Sequence, residues 1–407
     1  MLNIDIYNTL VIATLVLLLG QFMVHRIPIL NRYTIPGPVA GGLTAAFFLL
    51  IGKVVFGWEV TFDMSLKDPL MLMFFASIGL NANIDQLKAG GKMIAIFLVA
   101  VVGLLFIQNA VGVGLAKLLG IEPLIGLLAG SITLSGGHGT GAAWGSTFVN
   151  DYGFDNAIEV AMACATFGLV LGGIIGGPVA RYLIKKNRFE EHPEHPEMEK
   201  DNPPNVAGFE KPEVRRSINA TALIETIAML AISLTAGQYL AGLIKGTSFA
   251  LPTFVCVLFV GVLIRNIVPR LTSFQLMERA VSISGNVCLS LFLAMALMSL
   301  KLWELASLAI PMIVILAVQT VIMALYAVFV TFRVMGKTYD AAVLAAGHCG
   351  FGLGATPTAV ANMQVVTERF GPSHVAFIVV PMVGAFFVDL ANVIVIKLYL
   401  MLPFFGA

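Results

Sequence analysis

Charge is what this chain has least of. Only 12% of its 407 residues are Asp, Glu, Lys or Arg, against 58% hydrophobic ones, and the mean hydropathy of +0.92 lies outside the range of a soluble globular domain. The net charge is +1 and no long basic block occurs, which argues against nucleic acid as a partner. The four cysteines, Cys164, Cys256, Cys288 and Cys349, lie inside apolar runs without CxxC spacing, so they read as small buried hydrophobes. The N-terminus offers Asp5 in place of a basic n-region, and no small-residue cleavage site follows the first apolar run. That run is expected to be a retained helix. An HExxH motif, a nucleophile elbow and paired catalytic carboxylates are also missing, which argues against an enzyme.

What is present is a series of apolar runs, most near the roughly 20 residues that cross a bilayer. Ten candidate spans run from about Ile6 to Val24, Ile35 to Ile51, Pro69 to Asn83, Met93 to Leu119 and Ala157 to Ile184, then Ile218 to Ile244, Phe249 to Ile264, Ala280 to Leu300, Leu305 to Phe332 and Val375 to Leu402. Between the two sets lies the long polar segment 185–217, with Lys185-Lys-Asn-Arg188, Glu190-Glu-His-Pro-Glu-His-Pro-Glu197 and Arg215-Arg216, read as a mobile linker. His192 and His195 lie in it, but neighbouring prolines break any helical ligand spacing, so no metal site is expected there.

Two stretches, about 124–145 and 341–361, are apolar yet too rich in glycine to cross as single helices. Both carry Gly-x-Gly-x-Gly-Ala, at Gly137, Gly139, Gly141 and Ala142 and at Gly350, Gly352, Gly354 and Ala355. Broken backbone survives at membrane depth only where protein buries it or water reaches it, so each is expected to form a re-entrant hairpin. The halves echo one another elsewhere. Tyr33-Thr-Ile-Pro36 matches Phe249-Ala-Leu-Pro252, Phe74-Phe-Ala76 matches Phe292-Leu-Ala294, and Tyr152-Gly153 matches Phe370-Gly371, at offsets near 213 to 218 residues. Five crossings per half reverse the second copy. The expected fold is an all-α membrane protein of ten transmembrane helices in two inverted five-helix repeats, 1–184 and 218–407, each with a re-entrant hairpin. With the N-terminus outside, 18 of the 24 Lys and Arg residues fall on the linker side and six on the other, namely Lys53, Lys67, Lys117, Lys245, Lys301 and Lys397. The linker is therefore expected in the cytoplasm and both termini outside.

Opposed hairpins of this kind bring backbone N–H groups and helix N-termini to the midplane, which suits an anion. The groups available are Ser135-Gly136-Gly137-His138-Gly139-Thr140-Gly141 in the first tip and Gly350, Gly352, Gly354, Ala355, Thr356 and Thr358 in the second, with Thr133 nearby. The stripe Gly168, Gly172, Gly173, Gly176 and Gly177 recurs at helical spacing and is expected to pack helices. Asp389 sits at the middle of the last span with Asn392 one turn later, and the first half has Leu171-Gly-Gly there, without a carboxylate. Asp389, Asn392, Thr133 and Asn81 are candidate sodium ligands; alternatively Asp389 receives an ammonium group or is structural. Glu159 and Glu225 lie nearer span ends. His138 and His348 lack an orienting carboxylate, so hydrogen bonding within the tips fits them better than catalysis. Gln108, Asn109 and Gln319 at mid-span are expected to join helices, while Asn81 and Asn83 end the short third run where they can line a cavity.

The motifs Phe62-Asp-Met-Ser-Leu-Lys-Asp-Pro-Leu70, Ile78-Gly-Leu-Asn-Ala-Asn83, Gly130 to Trp144 and Ala345 to Ala359 resemble the bacterial sodium/glutamate symporter family, over nearly the whole chain outside the linker. That resemblance implies sodium-coupled glutamate uptake across the inner membrane, with sodium as coupling ion. It also implies a homodimer and an elevator-like motion of a transport domain against a scaffold. A channel is the chief alternative class for paired half-membrane loops.

Overall fold

The computed structural model describes residues 2–32, 35–58, 60–85, 91–189, 218–247, 251–272, 276–300, 308–403 and 405. The Tyr33-Thr34 and Phe249-Ala250 parts of the internal echo, most of the linker with His192 and His195, and the start expected for the ninth span fall outside them.

The described chain is almost wholly helical. In the first half α1 (Ile6–Arg26), α2 (Gly37–Phe56) and α3 (Lys67–Asn81) precede α4 (Gly91–Leu118), α5 (Pro123–Ile132), α6 (Gly137–Tyr152) and α7 (Ala157–Lys186). In the second half α8 (Ala220–Ile244), α9 (Thr253–Leu271) and α10 (Glu278–Met298) precede α11 (Ala309–Val334), α12 (Tyr339–Leu353), α13 (Thr356–Phe370), α14 (His374–Met382) and α15 (Val388–Leu400). Side chains close several helix starts: Asp5 accepts from the Asn8 N–H and Asn219 from the Ala222 N–H. Pro36 and Pro252, matching positions of the echo, each stand at the N-cap of the second helix in their half.

Among the described residues eight helices are long and apolar enough to cross a membrane. The chain is an all-α, multi-pass membrane protein. The third apolar run forms only the 15-residue α3. The last run folds as α14 and α15 around a π turn at Val383–Phe387. One element escaped the sequence reading: β1 (Leu2–Ile4) pairs in parallel with β2 (Val60–Phe62), which puts the chain start beside the α2–α3 connection.

The helices group into two bodies. α1, α2, α3, α8, α9 and α10 pack on one another, and α4 to α7 pack with α11 to α15. In the first body α3 and α9 approach closely at small residues. A methyl group on Gly79 would lie 2.2 Å from the Leu258 carbonyl oxygen, and one on Gly261 2.8 Å from that of Ala76. The same pair is tied by Asn266, which accepts from the Ile84 N–H (2.9 Å) and donates to the Ala82 carbonyl (2.8 Å). Asp85 and Arg270 form an ion pair at 3.1 Å beyond it. The main contact between the bodies is α6 against α10, and Trp144 of α6 meets Phe254 of α9 edge-on.

Candidate functional site: where two glycine-rich segments meet

Each glycine-rich segment is a helix, a break and a second helix. In the first, the backbone leaves helical geometry at Gly130 (φ −104°, ψ −141°), and α6 begins at Gly137 with φ +69°. That left-handed conformation favours glycine because other residues pay a steric cost there. In the second, α12 ends at Leu353 and α13 begins at Thr356 with Pro357 in its first turn. The Tyr339 hydroxyl donates to the Gly371 carbonyl, so this hairpin closes on itself at its open end. The arms extend past the expected limits, to 123–152 and 339–370.

The two breaks lie against each other. A methyl group on Gly137 would sit 3.4 Å from the Gly354 carbonyl oxygen. Gln108, at mid-α4, joins them: its Nε2 donates to the Gly352 carbonyl (2.7 Å), and its Oε1 accepts from the Ser135 hydroxyl (2.8 Å). Gln319 of α11 donates in turn to the Gln108 carbonyl (2.6 Å). Asn109 Oδ1 accepts from the Ser131 N–H (2.9 Å). The three amides expected to join helices do so, and Gln108 also couples the two segments.

Exposure picks out the tips. Gly136, Gly137, Ala355 and Thr356 are half-buried and Pro357 is exposed, while Ser135, Thr140 and Thr358 are buried. The starts of α6 and α13 thus lie together at the partly exposed tips, and first-turn N–H groups at a helix start have no partner within the helix. Thr356 is tied down, its hydroxyl donating to the Gly384 carbonyl in the π turn before α15 (2.7 Å).

The glycine stripe of α7 packs as expected at three positions. Methyl groups on Gly168, Gly172 and Gly176 would meet Leu353 O at 2.3 Å, Gly350 O at 3.1 Å and Asn362 Nδ2 at 2.2 Å, whereas one on Gly177 would meet nothing within 4 Å. The histidines are hydrogen-bonded, but to neighbouring helices and not within the tips. His138 Nε2 faces Thr166 Oγ1 of α7 at 3.0 Å, and that hydroxyl already donates to Met162 O, so the imidazole donates. His348 Nδ1 faces Thr331 Oγ1 at 2.9 Å, its ring stacked on Phe351. Ser135 and His138 therefore turn to different partners, and no nucleophile–base pair forms.

The candidate sodium ligands do not form one cluster of hydrogen bonds. Asn392 is buried and its Nδ2 donates to the Ser131 carbonyl (2.8 Å). Asp389 lies one turn earlier on α15 and is half-buried. Thr133 donates to the Leu128 carbonyl (2.6 Å). Asn81 belongs to the other body, where its Nδ2 donates to Ser282 (3.2 Å), and Asn83 accepts from the Asp85 N–H. Glu159 is buried in the first turn of α7, and Glu225 is exposed. Sequence reasoning missed Ser131, Thr166, Thr331 and Asn362; the last donates to Gly172 O (2.8 Å) and so ties α13 to α7. Their only sequence signal was a polar residue in an apolar run.

The family model described as sodium/glutamate symporter matches residues 2–372. The chain is 66% identical over 406 residues to a sodium/glutamate symporter of Escherichia coli (strain K12), covering 100% of both chains. It has the same identity and coverage with one of Shigella flexneri. With one of Haemophilus influenzae it is 54% identical over 391 residues, 96% of each chain.

Proposed function

The chain belongs to the sodium/glutamate symporter family, and from that premise we propose that it imports glutamate by sodium symport across the bacterial inner membrane. Members of the family are named as transporters and not as enzymes. Sodium is the coupling ion and glutamate the cargo.

One observation carries the reading: two broken, glycine-rich segments converge with Gly137 against Gly354, so that the N-termini of α6 and α13 lie together. Half-helix N-termini at a break are how a membrane protein holds a carboxylate without a fixed cation. Ser135, Gly136, Gly137, His138, Gly139, Thr140 and Gly141 are assigned to the substrate from the first tip, with Gly350, Gly352, Gly354, Ala355, Thr356 and Thr358 from the second. Asp389, Asn392, Thr133 and Asn81 are assigned to sodium, the alternative for Asp389 being the glutamate ammonium group.

The chain makes ten crossings in two inverted repeats, with a re-entrant hairpin in each. Support comes from the second segment, whose two arms, α12 and α13, bring their far ends together where the Tyr339 hydroxyl donates to the Gly371 carbonyl, so the chain enters and leaves on one side. The linker is cytoplasmic and both termini are periplasmic. The Asp85–Arg270 pair supports a shared side for the two connections that the charge count puts with the linker. Transport is elevator-like: both hairpins belong to the second body, and α6 slides against a scaffold formed by the first. A homodimer built through that scaffold leaves the second body free to move.

Calorimetric titration of the purified protein with L-glutamate tests the site. Binding heat is expected in sodium chloride and is expected to vanish in choline chloride. Equal binding in both salts contradicts the coupling.

A further inference from the structure

The break in α5 leaves one hydroxyl over. Both backbone groups of Ser131 are held: Asn109 Oδ1 accepts from its N–H (2.9 Å), and its carbonyl accepts from the Gly136 N–H (3.1 Å) and from Asn392 Nδ2 (2.8 Å). Its Oγ is buried and has no hydrogen-bond partner in the protein, and neither has the buried Oδ1 of Asn392. Turning the Asn392 amide over does not relieve this, because it would set one carbonyl oxygen against another. Two residues joined by a hydrogen bond thus each keep an unused neutral oxygen in the protein interior.

Buried oxygens without a donor call for a cation or a water molecule. Three features favour the cation. The backbone beside Ser131 departs from helical geometry at Gly130, and unwound backbone in a transporter is where carbonyls turn to an alkali ion. Asp389 is three residues before Asn392 on the same face of α15, adding negative charge within a helical turn. Asn109 fixes the Ser131 backbone, and Gly130 makes room for it, since a methyl group there would lie 2.6 Å from Asn109 Oδ1.

We propose that Ser131 Oγ and Asn392 Oδ1 are ligands of a coupling sodium ion, with Asn109 as a positioning residue. This rests on the sodium symport proposed above and gives its ion a place. It adds Ser131, whose hydroxyl has no partner, to the first-half ligands beside Thr133, whose oxygen keeps its lone pairs while its proton is held by the Leu128 carbonyl. The ion then bridges the broken helix α5 to α15, inside the body that carries both tips. Its binding stiffens the segment that leads into Ser135 and Gly137, which links ion binding to the shape of the substrate site.

Ser131→Ala removes an atom that makes no hydrogen bond. Thermal melting of the full-length protein without glutamate, in choline chloride and then in rising sodium chloride, reads ion binding apart from transport. Ser131→Ala is expected to melt like the wild type in choline. Its half-saturating sodium concentration is expected to rise at least tenfold, for melting and for glutamate uptake alike. Ser131→Cys keeps a side chain of the same shape, slightly larger, and replaces the oxygen by a poor sodium ligand; it gives a second reading if the alanine variant does not fold. A sodium-stabilised wild type with an unchanged sodium titration in both variants overturns the site and leaves the symport standing, the oxygens then holding water. A wild type that neither shifts with sodium nor accumulates glutamate overturns the symport and the site together.

Discussion

Asp389→Asn is expected to abolish or uncouple sodium-driven glutamate uptake. The carboxylate lies at the start of α15, immediately after the π turn at Val383–Phe387, and one helical turn before Asn392. Thr356, in the second tip, is bonded into that π turn through Gly384, so Asp389 is covalently close to the anchor of the tip. Replacing it by a neutral amide of the same shape removes the charge and little else. Losing an ionised partner of the proposed sodium ion or ammonium group costs about 1.5–3 kcal/mol, and each 1.4 kcal/mol is about tenfold. The initial rate under a sodium gradient should therefore fall by roughly tenfold or more. Uptake by the variant with wild-type sodium dependence would remove Asp389 from the coupling machinery.

Gln108→Leu is expected to lower uptake about tenfold while leaving the protein folded. Gln108 sits between the Ser135 hydroxyl and the Gly352 carbonyl, all of them buried. Leucine keeps most of the volume but deprives both groups of a partner, each orphan costing about 1–3 kcal/mol. The geometry softens the loss: Ser135 Oγ already lies 3.3 Å from the Gly352 carbonyl and can donate to it directly. The two segments then close on one another without the spacer that sets their separation. Uptake kinetics and thermal melting separate the effects, a modest drop in melting temperature against a large drop in rate. Combined with Ser135→Ala the losses should not add, because both changes cut one network. Additive losses would mean that Gln108 does not join the segments.

That the chain is an all-α, multi-pass membrane protein was legible because a bilayer imposes length and apolarity directly on sequence, and eight of the apolar runs are long enough helices among the described residues; the helix breaks at both glycine segments were legible because glycine density contradicts a continuous helix. The packing role of Gly168, Gly172 and Gly176 was legible from helical spacing. The long-range bonds were not. Gln108 meets Gly352 across 244 residues and Asn392 meets Ser131 across 261, and no local pattern encodes which polar residues a tertiary docking brings face to face. Thr133 and Ser131 show the limit well. Two hydroxyls stand two residues apart in one apolar run, and beside the break at Gly130 one turns back to Leu128 while the other is left over. The short pairing of β1 with β2 escaped for a similar reason, since three residues at the chain start carry no periodicity of their own.

Sodium-coupled transport is tested most directly by labelled glutamate uptake into proteoliposomes of the purified protein, with an inward sodium gradient compared with an inward proton gradient. Accumulation above the external concentration under the sodium gradient alone is the expected result. Uptake that never exceeds equilibration, or none under either gradient, would contradict sodium-coupled transport by this chain.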